Sequence, residues 1–227
     1  MEQKPSLLKT FLNPLLKENA IFVMLLGLCP VLIVTDTFDK SFGMGMAVIL
    51  VLIFTNLFIS LIRKIVPSEV RIPVFIVIIA CFVSIVERLM QAYTPSLYDS
   101  LGMIISMITV NCIVLGRGEA FAYKNGVGAS VVDALGTGCG FCIAVSILGI
   151  IREFFGKGGL TFTNPFTGKV IFSFNLLVGE GYDYTISALS SKMGAFLVLG
   201  LAVGIFSLIK ITRDEKKALE AKAKEAK

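Results

Sequence analysis

AIFVMLLGLCPVLIV, residues 20–34, and LGMIISMITVNCIVL, residues 101–115, decide the fold of this chain. Each is a short apolar run with one cysteine toward its far end, Cys29 in the first and Cys112 in the second. The cysteines are 83 residues apart, and the same offset sets Leu32 on Leu115, Phe38 on Phe121, Gly43 on Gly126, Gly45 on Gly128 and Val48 on Val131. Asp36 falls on Glu119, acid on acid. Apolar composition alone does not produce such a register. The chain therefore reads as two related halves, each supplying one thiol.

Hydrophobic residues make up 56% of the chain and charged residues 16%, with a mean hydropathy of +0.86. A soluble domain of this length needs no such apolar excess, so the chain belongs in a bilayer. Apolar runs lie at 20–34, 44–62, 72–86, 101–115, 127–151 and 193–211. A spanning helix takes about 20 residues. The expected fold is an all-α integral membrane protein with six transmembrane helices. These form two inverted three-helix repeats whose first helices are short or broken. The first run follows lysines as a signal peptide would, but no small-residue cleavage site follows it, so it is expected to stay.

The expected divisions are a cytoplasmic interfacial segment at 1–18, a first repeat at 19–92, a second at 97–211 with a long extracytoplasmic loop at 152–192, and a charged tail at 212–227. Leu7, Leu8, Phe11, Leu12, Leu15 and Leu16 share a helical stripe in the first segment, with Pro14 as a break. Orientation follows the basic residues, fifteen of whose 21 fall in the N-terminus, the loops near Arg63 and Arg117, and the tail. Both termini are thus expected in the cytoplasm. The +5 charge follows this topology and does not imply nucleic acid. Pro73 marks the start of the third span, and the loop 152–192, rich in glycine and phenylalanine, suits a partner-docking surface.

Glycines at 126, 128, 136, 138 and 140 follow no strand and precede no Gly-Lys-Ser/Thr, so a nucleotide loop is excluded. Small residues at these spacings let membrane helices approach closely. Histidine is absent, which excludes histidine-held haem and the commonest proton shuttle.

Of the five cysteines, Cys81 reads as a small hydrophobe. Cys29 and Cys112 occupy equivalent repeat positions in segments too short to cross unaided, and such segments mark a midplane site. Ten residues of helix beyond Asn19 put Cys29 about 15 Å deep, half of a roughly 30 Å core. A disulfide there would be an idle staple. Thiolate ligation suits an iron–sulfur cluster or zinc, each ordinarily with four ligands, so two cysteines are half a site. The other half comes from Cys139 and Cys142, one helical turn apart, or from a second protein chain of the same fold. The second is favoured because the repeat positions matching Cys139 and Cys142 are Asn56 and Ile59.

The motifs Leu28-Cys29-Pro30, Val70-Arg71-Ile72-Pro73-Val74-Phe75 and Asn111-Cys112-Ile113-Val114-Leu115-Gly116-Arg117-Gly118-Glu119-Ala120-Phe121-Ala122 resemble the RnfE family, the E component of the Rnf electron-transport complexes. The resemblance runs from about residue 6 to 210 and extends to the NqrD component of the sodium-translocating NADH:quinone reductases. Residues 116–122 look more like the E component than its sister A component, with Gly118 where alanine is expected.

The resemblance implies an ion-translocating oxidoreductase, a ferredoxin:NAD oxidoreductase that moves Na⁺ or H⁺, in which this chain is not catalytic alone. It implies a [2Fe–2S] cluster shared with the homologous A component, which supplies two further cysteines, with Cys29 and Cys112 as the metal ligands here. It also implies the B, C, D and G components of the complex as partners, contact with membrane lipids, and a bacterial or archaeal inner or plasma membrane as the location.

Glu87, Glu119 and Asp133 lie at or near span ends and are ion-pathway candidates, since intramembrane acids are functional by default. The alternative is an interfacial acid paired with Arg88, Arg117 or Lys124. Asp133, among Val131, Val132, Ala134 and Leu135, is the strongest candidate. A secondary transporter for a small solute, which also uses inverted repeats, is the competing function.

Overall fold

The computed structural model describes residues 7–12, 14, 21, 23–67, 69–157, 159–163, 170–175, 178–179, 182–183 and 191–225. Among the described residues, four helices are long and apolar enough to cross a membrane. They are α3 (Phe38–Ile62), α4 (Arg71–Tyr93), α7 (Val127–Lys157) and α8 (Lys192–Glu225), the last two over Val127–Phe154 and Met193–Arg213. α4 begins at Arg71, so Pro73 falls in its first turn, where a missing N–H has no intrahelical partner.

The two runs that carry Cys29 and Cys112 are interrupted. In the first, residues 23–27 are irregular and α2 (Leu28–Val34) follows. Gly27 caps α2 at φ 79°, and Leu25 also has a positive φ, 54°. Helical rise therefore does not measure the depth of Cys29 from Asn19, since the chain at 23–27 is not helical. The second run contains the end of α5 (Pro95–Ile105), a 3-10 turn at Ser106–Val110 and extended Asn111 before α6 (Cys112–Arg117). The Asn111 side chain accepts the Ile113 N–H at 3.2 Å, satisfying one of the donors a helix start leaves open. A π turn, Gly118–Ala122, leads on toward α7.

α3 and α7 form the centre of the molecule and run antiparallel. A Cβ on Gly45 would lie 2.5 Å from Cys142 Sγ, and one on Gly138 would lie 2.8 Å from Ile49 Cγ1. Glycine at both points lets the helices come close enough to pack Val48, Val51, Leu52, Phe141, Ala144 and Val145 into a common core. Phe38 and Val127, which start the two helices, are 89 residues apart, and so are Ile49 and Gly138, which meet. One offset of 89 thus relates both the starts of the two helices and a point where they touch.

The helix ends repeat the pattern. Arg63 Nη1, just past α3, donates to the Asn125 carbonyl before α7 at 2.7 Å. Arg152 Nη1, near the end of α7, donates to Thr35 Oγ1 before α3 at 2.6 Å. The offset of 83 thus holds at the short helices and becomes 89 at the long ones. The link at 118–126 is six residues longer than the link at 35–37. For that reason Gly45 and Gly128 are not equivalent: Gly45 is packed on Cys142, whereas a Cβ on Gly128 would meet nothing within 4 Å.

α1 (Leu7–Leu12) ends before Pro14 and lies against α7, where a Cβ on Gly136 would meet the Phe11 carbonyl. The rest of the expected interfacial helix falls outside the described residues. Beyond α7, β1 (Gly159–Thr163) pairs antiparallel with β2 (Val170–Asn175), and β3 (Val178–Gly179) pairs with β4 (Tyr182–Asp183). The segment 152–192 is thus partly hairpin rather than all loop, a short β addition to a mainly helical chain.

Candidate metal centre

Cys29 is the second residue of α2 and Cys112 the first of α6, and both thiols are exposed. The chain just before Cys29 packs against the residues on either side of Cys112. A Cβ on Gly27 would lie 2.5 Å from Ile113 Cδ1 and 3.0 Å from Asn111 Oδ1, so only a residue without a side chain allows this approach. α2 is about 10 Å long and α6 about 9 Å, by their residue counts and the helical rise. α2 runs to the start of α3 and α6 to the start of α7, at opposite ends of the central pair. The two short helices therefore start near one another and run toward opposite ends of the central pair.

Soft, exposed thiols on abutting segments suit a thiophilic metal. They are two ligands only. Among the described residues, no three His, Cys, Asp or Glu side chains converge on a common site. Cys142 is buried under Gly45, Cys139 is half-buried on the same helix, and Cys81 is exposed on α4. Neither Cys139 nor Cys142 joins Cys29 and Cys112 in one ligand set. The donor set fits half of a four-thiolate centre.

The surface beside the thiols is apolar and open, with Leu25 49% and Val110 73% exposed. The broken backbone at 23–27 and at Asn111 lies beside this surface. Irregular backbone at membrane depth persists only where protein or a water-filled cavity covers it.

Comparison with known proteins places the chain in a membrane-protein family. The family described as Rnf-Nqr subunit, membrane protein, matches residues 7–211. The chain belongs to the Rnf-Nqr family. A relative from Acetobacterium woodii, named as the E subunit of the Na(+)-translocating ferredoxin:NAD(+) oxidoreductase complex, is 44% identical over 200 residues, covering 88% of this chain and 95% of its own. The E subunit of the ion-translocating oxidoreductase complex of Methanosarcina acetivorans is 41% identical over 208 residues, 92% of each chain. The protein of the same name from Pasteurella multocida is 47% identical over 157 residues, 69% of this chain and 70% of its own.

In this Rnf-Nqr protein each acid singled out by sequence has a partner. Asp133, 1% exposed, pairs with Arg117 at 3.6 Å. Glu119 pairs with Arg71 at 3.2 Å, and the Arg71 guanidinium also lies 5.3 Å over the Tyr123 ring. Glu87 accepts from the Tyr98 hydroxyl at 3.4 Å. Of the expected pairings only Arg117 recurs, and with Asp133 rather than with Glu119 beside it in sequence. At the Asp133 level of α3, Asn56 buries both amide atoms and Thr55 its hydroxyl, with no hydrogen-bond partner among the described residues.

Sequence reading passed over Arg152 and Glu153, which are 3% and 0% exposed. Arg152 donates to Thr35 Oγ1, to the Leu32 carbonyl at 3.4 Å and to the Ser191 carbonyl at 3.1 Å, and Glu153 Oε2 accepts the Phe38 N–H at 2.8 Å. The available signal was two adjacent charges ending the longest apolar run.

Proposed function

We propose that this chain is the E subunit of an ion-translocating ferredoxin:NAD oxidoreductase, not catalytic alone, and that Cys29 and Cys112 hold half of a [2Fe–2S] cluster shared with a homologous partner chain. The observation that carries this is the close approach of the two segments that bear the exposed thiols, at Gly27 against Asn111 and Ile113, beside exposed Leu25 and Val110. When bound, such a cluster accepts and releases one electron. The chain's own part is to hold two thiolates at a fixed separation, keep them inside the hydrocarbon layer and offer the apolar face that the homologous A component covers.

The offset of 89 that relates α3 and α7 supports two inverted three-helix repeats, with α2 and α6 as the broken first spans. The basic loops support cytoplasmic termini in a prokaryotic cell membrane. The B, C, D and G components would complete the complex. A site near the midplane shortens an electron's path across the core to two hops of about 15 Å.

Ion coupling follows from electrostatics. Negative charge added in a low-dielectric interior favours a cation nearby. Asp133, Thr55 and Asn56 offer oxygen atoms to a Na⁺ or a proton-carrying water, with Glu87 and Glu119 nearer the span ends. Asp133→Asn is expected to lower ion transport per electron; unchanged transport and electron flux would remove Asp133 from the pathway.

The deciding measurement is iron, labile sulfide and the EPR spectrum of the reduced, purified complex. An active complex without iron would defeat the proposal and favour a transporter for a small solute.

A further inference from the structure

Charged side chains inside a membrane protein are expensive to bury, so a pair held at 3% and 0% exposure marks a position where charge is needed. Arg152 and Glu153 meet the corner where α2 turns into α3. The Arg152 guanidinium takes the Thr35 hydroxyl and the Leu32 carbonyl, the open C-terminal end of α2. Its second amino group takes the Ser191 carbonyl ahead of α8. Glu153 takes the N–H of Phe38, the first residue of α3. One dipeptide thus takes one open carbonyl and the capping hydroxyl at the end of one helix and an open donor of the next.

On the basis of the shared-cluster function proposed above, we infer that Arg152 and Glu153 are positioning residues for Cys29. α2 has only seven residues and is irregular on its N-terminal side, so its other anchor is its C-terminal end. Arg152 grips that end from α7, the helix that also sets the course of α6 through the π turn. The planar guanidinium reaches separate acceptors at once, fixing direction as well as distance. α2 is thereby held to α7, and the Cys29 thiol keeps its place relative to Cys112. Partners that hydrogen-bond a metal ligand directly change metal affinity by about 10–100-fold when removed, and a clasp on the ligand's helix acts toward the lower end of that range.

The test uses the intact complex. Arg152→Gln is expected to assemble, to lose iron to a chelator about tenfold faster than the parent, and to shift the midpoint potential of the EPR signal. Arg152→Lys, which keeps the charge and can still reach Thr35, should restore most of the retention. Should Arg152→Gln fail to assemble, Thr35→Val, which deletes one acceptor at constant shape, carries the same expectation in weaker form. Unchanged iron loss and potential in an assembled Arg152→Gln or Thr35→Val complex would overturn the inference. Maleimide labelling of the full chain in membranes separates this from the function itself. Arg152→Gln should change the Cys29 rate several-fold and leave Cys81 unchanged. An iron-free parent complex with altered Cys29 labelling would defeat the cluster and keep the clasp, whereas unaltered labelling would overturn the clasp.

Discussion

A complex carrying Cys29→Ser or Cys112→Ser is expected to assemble normally and to show no cluster EPR signal. Both thiols are exposed at the starts of short helices, so exchanging sulfur for oxygen removes a ligand without opening a cavity. Loss of one thiolate from a four-ligand set leaves iron without a complete shell. Electron flux should fall to background in each variant. Cys139→Ser and Cys81→Ser should keep both signal and flux, because neither thiol stands with the Cys29–Cys112 pair in the fold. A signal lost in Cys139→Ser and retained in Cys29→Ser would reverse the ligand assignment.

Gly27→Ala should come next in size, with the cysteines themselves untouched. The position has φ 79°, which costs an L-residue roughly 1–2 kcal/mol. The new methyl would also press on Ile113 Cδ1 and Asn111 Oδ1, and overpacking of this kind costs about 1–3 kcal/mol more. Relief comes from the Ile113 and Asn111 side chains giving way or from the two thiol segments moving apart, so the variant should lose roughly 2–5 kcal/mol of stability and part of its iron. Gly128→Ala is the control, since its Cβ meets nothing within 4 Å. Thermal unfolding of the detergent-purified complex and its iron content read both effects. Equal behaviour of the two variants would show that the close approach at Gly27 is dispensable.

Much of the architecture was legible because apolar length and broken helices leave marks in composition. The runs at 44–62, 72–86, 127–151 and 193–211 each lie within or largely overlap a helix long enough to span. The two short runs stood out by being short, and the structure breaks both. The offset of 83 that sets Cys29 on Cys112 also sets the end of α2 on the end of α6. It failed beyond Asp36 because six extra residues enter between α6 and α7, and no local pattern announces where an insertion falls in an apolar sequence. Asp133 was picked out by its apolar neighbours, but its partner Arg117 lies sixteen residues upstream, and only the fold shows which of several arginines arrives. Arg152 and Glu153 escaped notice because charges after an apolar run normally mark water. Here the helix carries them back under the α2–α3 corner.

The irregular backbone at 23–27, half open beside the thiol face, bears on how such a protein is made. A copy inserted alone would present that break to lipid chains, which offer no hydrogen bonds to a peptide group. Such a copy is a natural target for membrane proteases and a poor long-term resident of the bilayer. Manufacture of this chain therefore has to keep step with whatever covers its broken side, and any surplus would be cleared rather than stored.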